Sequence, residues 1–280
     1  GWQDPDKIWL TTYFDSLGIA YTGSNQVAHA LERNKPEAKQ RVMDLGLQTA
    51  SFCVIRQNHV PTREDIPLSF PLFIKPANRG GGLGVDSDSL VYNFEQLFSK
   101  VNEITGLQSD SLIEEYLPGR EFSVALLKDE HSAEFSIMPI ELVAPVDKNG
   151  ARILSGEVKS SNTEQAIEIA DEVTRSSVTS LALDVFYALG ARDYGRIDIR
   201  LDKQGIPHFL EANLIPSLIS GYGSFPKACM LNIGLDYESM IMRITKLGLA
   251  RNKNNIEDAL ELSLATDNVF PYLETALETI

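Results

Sequence analysis

Two strand-like segments joined by a short turn constrain the fold of this chain more than any other feature. Residues 194–201 read YGRIDIRL, the turn reads DKQG, and residues 206–213 read IPHFLEAN. Polar and apolar residues alternate along both segments, and a period of two is typical of β-strands. The short turn favours a β-hairpin, so we expect an antiparallel sheet in this part of the chain.

The predicted hairpin gathers four polar side chains. Alternation places Arg196 and Asp198 on one face of the first strand, and Glu211 and Asn213 on one face of the second. If the residues that flank the turn pair with each other, Arg196 lies opposite Glu211 and Asp198 lies diagonal to it. Carboxylate and amide oxygens suit Mg²⁺ held against phosphates, and the arginine suits developing negative charge. The alternative is a surface hairpin held by a salt bridge.

Charge and composition exclude several classes of partner. A net charge of −14 argues against DNA or RNA, because their binding needs clustered Lys and Arg, whereas ATP needs only a few well-placed cations. No apolar run reaches the ~20 residues that span a bilayer, and no signal-peptide pattern is visible. Cys53 and Cys229 lie far apart in apolar surroundings, which favours free thiols. We therefore predict a cytoplasmic protein without a membrane or nucleic-acid partner.

The rest of the chain alternates predicted helices and strands. Predicted helices cover residues 6–19, 25–35 (with Ser24 as N-cap), 37–45, 92–104, 163–189 and 236–250, and predicted strands cover residues 51–56, 70–75, 111–115 and 121–127. Residues 141–162 and 214–226 are predicted loops, and residues 254–280 form an acidic tail with a helical pattern. This order predicts an α+β (mixed α/β) fold with a smaller insert around residues 51–120.

A glycine-rich segment follows the predicted strand that ends at Lys75. Gly81, Gly82 and Gly84 lie in this loop, whose exposed backbone N–H groups suit phosphate, and Lys75 supplies a point charge. No Gly-Lys-Ser/Thr sequence ends the loop, so it is not a Walker A motif. Lys35 is a second candidate phosphate cation. The alternatives are a simple turn for the glycine-rich segment and a solvated helix lysine for Lys35.

Residues 112–121 form a strand, a Pro-Gly turn and the start of another strand. The backbone of such a linker can bind the edge of an adenine ring, and the Glu121 carboxylate can accept hydrogen bonds from ribose hydroxyls. A simple connection between sheet layers is the alternative. No Ser/His/Asp or Cys/His constellation is visible elsewhere in the sequence.

Taken in order, these segments resemble the ATP-grasp superfamily, specifically the D-alanine–D-alanine ligase-like carboxylate–amine ligases. The resemblance covers about residues 10 to 250 and includes the segment GIAYTGSNQVAHALERNKPEAK and the FIKP sequence at 73–76. It implies phosphate contacts from Lys35, Lys75 and the glycine loop (Gly81, Gly82, Gly84), an adenine site at Glu114, Glu115 and Leu117, a ribose contact at Glu121, metal ligands Asp198, Glu211 and Asn213, and transition-state stabilisation by Arg196.

The resemblance also implies a fold, ligands and an assembly. ATP-grasp proteins hold ATP between two α+β subdomains, here predicted at residues 35–120 (small, with the glycine loop) and 121–250 (large, catalytic). Residues 1–34 would be a remnant of the preceding N-terminal domain and residues 251–280 an acidic helical tail. The implied ligands are ATP, two Mg²⁺ ions (with Mn²⁺ as a substitute) and small amino-acid-like substrates. The implied assembly is a homodimer.

The reaction implied is ligation through an acyl phosphate, with release of ADP and phosphate. Two departures from the family concern the substrates. Where the family has Asn-x-x-Pro-Gly-x-Thr, this chain has Ser217 for the glycine and Ile219 for the threonine. The resemblance makes Lys159 the equivalent of the lysine in the family's long loop, and Ser217 stands where the family's glycine approaches the acyl group. With Arg196, these two residues form the predicted catalytic set.

These departures favour a ligase that joins an amino acid other than D-alanine, or an amino acid and another small carboxylate or amine. Three alternatives stay open on the sequence: a D-alanine–D-alanine ligase proper in peptidoglycan synthesis, a non-catalytic ATP-binding protein, and a phosphotransfer enzyme of the same fold.

Overall fold

The computed structural model describes residues 9–265, with side chains to residue 251. The helices are α1 (Leu10–Ser16), α2 (Gln26–Arg33), α3 (Lys35–Asp44), α4 (Phe94–Gly106), α5 (Gly156–Ser161), α6 (Glu172–Ala188), α7 (Ser224–Ile233) and α8 (Tyr237–Ala265). The strands are β1 (Phe52–Ile55), β2 (Leu72–Pro76), β3 (Leu90–Val91), β4 (Ser111–Glu115), β5 (Glu121–Lys128), β6 (Phe135–Val143), β7 (Gln165–Ile167), β8 (Tyr194–Leu201) and β9 (Pro207–Asn213). Within residues 9–265, no helix combines the length and apolar content needed to cross a membrane.

The strands form two antiparallel sheets. The smaller sheet has the order β1-β4-β2-β3, and the larger has the order β7-β6-β5-β8-β9. Helix α4 covers the small sheet and buries Leu97, Val101 and Ile104 against it. The fold class is α+β, as predicted.

The large sheet has a hydrophobic core on each face. On one face α6 packs against β5, β8 and β9, and α2 and α3 add Ala28, Ala38 and Val42 to the same cluster. On the other face α7 and α8 bury Phe225, Cys229 and Met240. The site-bearing strands β8 and β9 therefore lie in a sheet that is fixed from both sides.

Local signals set the helix starts near the site. Asn25, not the predicted Ser24, caps α2 by accepting a hydrogen bond from the Ala28 N–H at 3.1 Å. Asn34 then caps α3, in which Pro36 occupies the first turn, where its missing N–H costs nothing. The junction predicted at Lys35 and Pro36 is thereby confirmed.

Several elements differ from the sequence prediction. Strand β6 was not predicted, and its interior Pro139 argues against a strand. Because β7 pairs only with residues 141–143, β6 is an edge strand at Pro139, and the proline is tolerated there. The predicted loop at 141–162 contains the end of β6 and helix α5, and the predicted helix at 163–189 begins with β7.

Toward the C-terminus, the predicted loop at 214–226 ends in the unpredicted helix α7. The helix predicted at 236–250 continues as α8 to Ala265. The remainder of the predicted acidic tail lies outside the described residues.

Candidate active site

A cleft of about 820 Å³, including space open to solvent, lies between the two sheets. Most of the residues that the sequence singled out line it: Lys35, Lys75, Gly82, Glu114, Glu115, Leu117, Glu121, Lys159, Asp198 and Glu211. They come from α3, β2, the glycine loop, β4, the β4–β5 connection, β5, α5, β8 and β9. Residues distant in sequence thus meet because the two sheets share this space.

One end of the cleft is a narrow apolar slot. Its walls include Phe73 of β2, the buried Leu117 of the β4–β5 connection, Ile153 and Leu154 of the β6–α5 segment, and Leu210 of β9. An apolar slot beside the 115–117 linker suits a flat aromatic base.

Glu121 stands at the entrance to this slot, at the first position of β5. Its Oε2 lies 2.8 Å from Arg200 Nη1, and the two residues face each other in the β5–β8 pairing. Burial raises the pKa of Glu121, although the Arg200 charge opposes this. Arg200 was not singled out from the sequence, because nothing in the chain near it signals a partner 79 residues away.

Glu114 has a different environment from that expected for a residue at an adenine edge. Its side chain is almost fully buried, and its carboxylate bridges two lysines, with Lys39 Nζ at 2.6 Å from Oε1 and Lys75 Nζ at 2.7 Å from Oε2. Burial alone would raise the pKa of Glu114, but the two ammonium groups outweigh burial and lower it. Lys39 was missed from the sequence, since it reads as an ordinary lysine of an exposed helix.

The opposite end of the cleft is rich in cations. Burial lowers the pKa of Lys35, whose Nζ lies 3.6 Å from Glu211 Oε2 and donates a hydrogen bond to the Arg79 carbonyl. Burial also disfavours the charge of Lys75, but Glu114 and Glu211 outweigh it and raise the pKa of that lysine. This end of the cleft suits phosphates.

The glycine loop packs onto α5. Gly82 has φ +77°, and a Cβ there would lie 3.0 Å from the Gly156 Cα at the start of α5. The Gly156 N–H donates a hydrogen bond of 3.2 Å to the Val85 carbonyl. Gly84 instead packs against Pro76, and Gly81 is exposed, so only Gly82 of the three predicted glycines lines the cleft.

The predicted metal ligands lie together on β8 and β9. Asp198 pairs with Glu211, and Arg196 pairs with Asn213. Arg196 donates two hydrogen bonds to the Asp198 carboxylate, at 2.9 and 2.8 Å, and the Asn213 amide donates a third at 3.1 Å. Ser123 of β5 donates a fourth, at 2.9 Å.

The register of this hairpin differs from the prediction, in which Leu201 paired with Ile206 and Arg196 with Glu211. The turn is one residue longer, so that Leu201 pairs with Pro207. A β-bulge then leaves Leu210 without a partner between the Phe209 and Glu211 pairs. Each change shifts the pairing by one residue. A shift of two residues in total keeps the same side chains on the same face of the sheet. The predicted face is therefore correct, but the predicted pairing of Arg196 with Glu211 is wrong.

The donors on this face fit a hard cation. Mg²⁺ is commonly bound by one or two carboxylates together with substrate phosphates, and Asp198 and Glu211 provide two. Burial would raise the pKa of Glu211, but the charges of Lys35, Lys159 and Lys75 outweigh it and bring the pKa to about 2. Across the described part of the chain, no group of three or more His, Cys, Asp or Glu side chains could hold a metal by itself. A metal on this face would therefore also need phosphate oxygens as ligands.

A second cavity continues the cleft beyond the metal face. Lys35 and Glu211 belong to both cavities, and Glu32 and Asn213 line the second. Ser217, the third predicted catalytic residue, lines neither of these two cavities, and its buried hydroxyl has no hydrogen-bond partner. Arg196 reaches toward α7, where its Nη1 lies 3.0 Å from Ser224 Oγ.

The chain is similar in sequence to known ligases. The family model described as "D-ala D-ala ligase C-terminus" matches residues 42–246. A D-alanine–D-alanine ligase of Hydrogenovibrio crunogenus is 30% identical over 239 residues, which are 84% of this chain and 71% of that protein. An uncharacterized protein, y4sG of Sinorhizobium fredii, is 32% identical over 246 residues, which are 86% of this chain and 70% of that protein.

Solved structures agree in fold. The crystal structure of a D-alanine–D-alanine ligase from Bacillus anthracis complexed with ATP superposes with a TM-score of 0.70 at 22% identity. The match covers 88% of this chain and 75% of that one. A further structure of the Bacillus anthracis enzyme gives a TM-score of 0.69.

Proposed function

The chain belongs to the D-alanine–D-alanine ligase family of ATP-grasp proteins, and from this premise we propose that it joins a carboxylate to an amine in an amide bond at the expense of ATP. The observation that carries the proposal is the cleft between the sheets, whose lining combines lysines and two carboxylates with a group of apolar side chains.

ATP lies along this cleft. Its base occupies the slot beside Leu117 and Leu210, and its ribose hydroxyls bind the Glu121 oxygen that Arg200 leaves free. Its phosphates lie between Lys35, Lys75 and the glycine loop. The lining thus offers apolar side chains for the base, a carboxylate for the sugar and ammonium groups for the phosphates.

Asp198, Glu211 and Asn213 would hold Mg²⁺ at the phosphate end. When bound, the metal would neutralise phosphate charge. The low pKa of Glu211 keeps this carboxylate ionised at neutral pH without any ligand.

The reaction has two steps. An oxygen of the substrate carboxylate attacks the γ-phosphorus of ATP, and the bond to the β-phosphate oxygen breaks, giving an acyl phosphate and ADP. The amine then attacks the acyl carbon, loses a proton and expels phosphate. We propose that Lys159, which lines the cleft, and Arg196, which contacts Asp198 at the metal face, stabilise the charge that develops in these steps. Loss of one such group typically costs about 2.7–4 kcal/mol of barrier.

The amino-acid substrates bind in the second cavity, next to Glu211 and Asn213. Ser217 and Ile219 follow Asn213 in the sequence and line neither cavity, but they stand where the family pattern has glycine and threonine. On this sequence difference we propose a substrate other than D-alanine. A D-alanine–D-alanine ligase proper is the second candidate, favoured by the name of the Hydrogenovibrio relative.

We also propose the subdomain division expected from the sequence, with residues 35–120 as the small unit and residues 121–250 as the large one. The small sheet lies within residues 52–115 and the large sheet within residues 121–213, which supports it. Helix α3 is shared, because Ala38 and Val42 pack in the core of the large sheet. The homodimer stays a prediction.

ADP release from Mg–ATP tests the function, with D- and L-amino acids offered singly and in pairs and amide products identified by mass spectrometry. We expect stimulated ADP release with an equal amount of amide. Stimulation by D-alanine alone would favour the second candidate. ADP release without an amide product would contradict ligation and favour phosphotransfer. Nucleotide binding without any turnover would contradict both candidate functions.

A further inference from the structure

Lys39 of α3 is a fully buried lysine whose ammonium group contacts both sheets. Besides Glu114 of the small sheet, its Nζ lies 3.3 Å from the Phe209 carbonyl of the large sheet and 2.5 Å from Thr49 Oγ1. It does not line the cleft. A buried charge at the junction of two sheets is costly unless it is paired, so its contacts need an explanation.

Lys39, Glu114 and Lys75 form a buried cluster of charges. Glu114 supplies one negative charge to two ammonium groups, each within 2.7 Å of a separate carboxylate oxygen. Burial lowers the pKa of Lys39, although the Glu114 charge opposes this. With both lysines protonated, the three groups together carry one net positive charge, and of the two lysines only Lys75 faces the cleft. If Lys39 were neutral, Glu114 and Lys75 would form a closed pair with no net charge to offer a phosphate.

A second set of contacts reaches the metal face. The Phe209 carbonyl accepts hydrogen bonds from Lys39 and from Thr49 Oγ1, the latter at 2.7 Å, and the Phe209 N–H donates to the Gln48 carbonyl at 2.9 Å. Phe209 directly precedes the unpaired Leu210 and then Glu211. The start of the bulge is thereby tied to the same ammonium group that balances Glu114.

We propose that Lys39 is a positioning residue of the nucleotide site: it shares the charge of Glu114 so that Lys75 keeps a positive charge for a phosphate of the nucleotide. The inference rests on the proposed nucleotide-binding function. Lys39 itself touches no ligand and acts only through Glu114 and Lys75.

Binding of ATP and of adenosine to the purified full chain separates this role from simple stabilisation of the fold. In the variant Lys39→Met, we expect the dissociation constant for ATP to rise about tenfold or more, the effect of losing one charge-assisted contact. Adenosine has no phosphate, so its affinity should change less than about threefold. Equal weakening of both ligands, or no change for ATP, would overturn the inference.

The double variant Lys39→Met/Glu114→Gln tests the charge sharing directly and stays informative if Lys39→Met alone does not fold. It removes one positive and one negative charge, and so restores the net charge of the cluster. We expect the ratio of its ATP affinity to its adenosine affinity to lie within about threefold of the ratio measured for the unmodified protein. Such a recovery is expected because the effects of substitutions at coupled groups are not additive. A ratio that stays low would overturn the inference.

Lys100→Met is the matched control. Lys100 is also buried and also paired with two carboxylates, Asp86 at 2.8 Å and Glu103 at 3.0 Å, but it belongs to α4 and does not line the cleft. Its loss should leave the ratio unchanged. Because the readout is binding, absent amide formation would overturn the proposed function alone, and unchanged ATP affinity in an active Lys39→Met enzyme would overturn this inference alone.

Discussion

Charges in the cleft are shared in small buried groups, so that single residues have effects larger than their own contacts. Four carboxylates of the cleft each lie beside a lysine or arginine: Glu114, Glu121, Asp198 and Glu211. Removing one member leaves a partner charged and buried, which is far more costly than losing a surface pair. Substitutions here should therefore be read together with the partner that they leave behind.

Glu211→Gln is the most direct test of the metal face. The change keeps the shape but removes one anionic donor, so we expect ADP release at saturating Mg–ATP to fall by about a hundredfold or more, comparable to the loss of a transition-state contact. Glu134→Gln, an exposed position between β5 and β6, is the control and should be fully active. Near-normal ADP release in Glu211→Gln would refute the assignment of Glu211 as a metal ligand.

The thiol of Cys53 gives a prediction in pH. Burial raises its pKa to about 11, so at pH 8 only about one molecule in a thousand carries the reactive thiolate. Alkylation by iodoacetamide should be about a hundredfold slower than for an ordinary thiol of pKa ~8.5, and should speed up about tenfold per pH unit as pH rises toward 11. Mass spectrometry of folded and urea-unfolded protein checks this. Equal rates in both states would contradict it.

The residues that sequence reasoning found and missed differ in one respect. Arg196, Asp198, Glu211 and Asn213 could be predicted because strand alternation places them on one face. Lys39 and Arg200 could not, because their partners come from other elements and their own neighbourhoods are unremarkable. Burial of a charged group is a tertiary property, and no local pattern reports it.

At the scale of elements, packing between segments decided what the sequence left unresolved. The hairpin and the strand at Ser111–Glu115 follow clear local patterns and were predicted. Strand β6 depends on pairing along β5, which overrides its central proline. The bulge at Leu210 depends on the contacts of Phe209 with residues 48 and 49, far away in sequence. Register is a property of two strands, and one strand alone cannot specify it.

The contact between the glycine loop and α5 predicts a sensitive position outside the phosphate lysines. A methyl group in Gly156→Ala would lie 2.9 Å from the Gly82 carbonyl oxygen and would push the loop from its place. We expect kcat/KM for ATP to fall by about tenfold or more, because small displacements of positioning groups are costly. Gly106→Ala at the end of α4 is the matched control, since open space surrounds that position and it lines neither cavity. Equal kinetics of the two variants would show that the loop does not need α5.

At the scale of the whole molecule, a ligand in the cleft contacts both sheets at once. ATP at about a hundred times its dissociation constant should add about 2.7 kcal/mol to the free energy of unfolding and raise Tm by roughly 5 °C. Hydrogen exchange should slow in β4 and in β8 together, since both strands border the ligand. Protection confined to one sheet would contradict the placement of ATP between them.

The two chain crossings between the sheets, residues 45–51 and 116–120, are both fastened to the β8–β9 hairpin. Thr49 bridges to Phe209, and the Gly119 N–H donates to the Leu201 carbonyl at 3.0 Å. These two attachments define an axis, and any rotation of one sheet against the other displaces atoms in proportion to their distance from it. Leu117 lies two residues from the Gly119 attachment, and Lys39 donates hydrogen bonds to both Thr49 and Phe209 at the other attachment. A small angular opening therefore displaces Leu117 and Lys39 less than it displaces small-sheet residues farther from these two attachments.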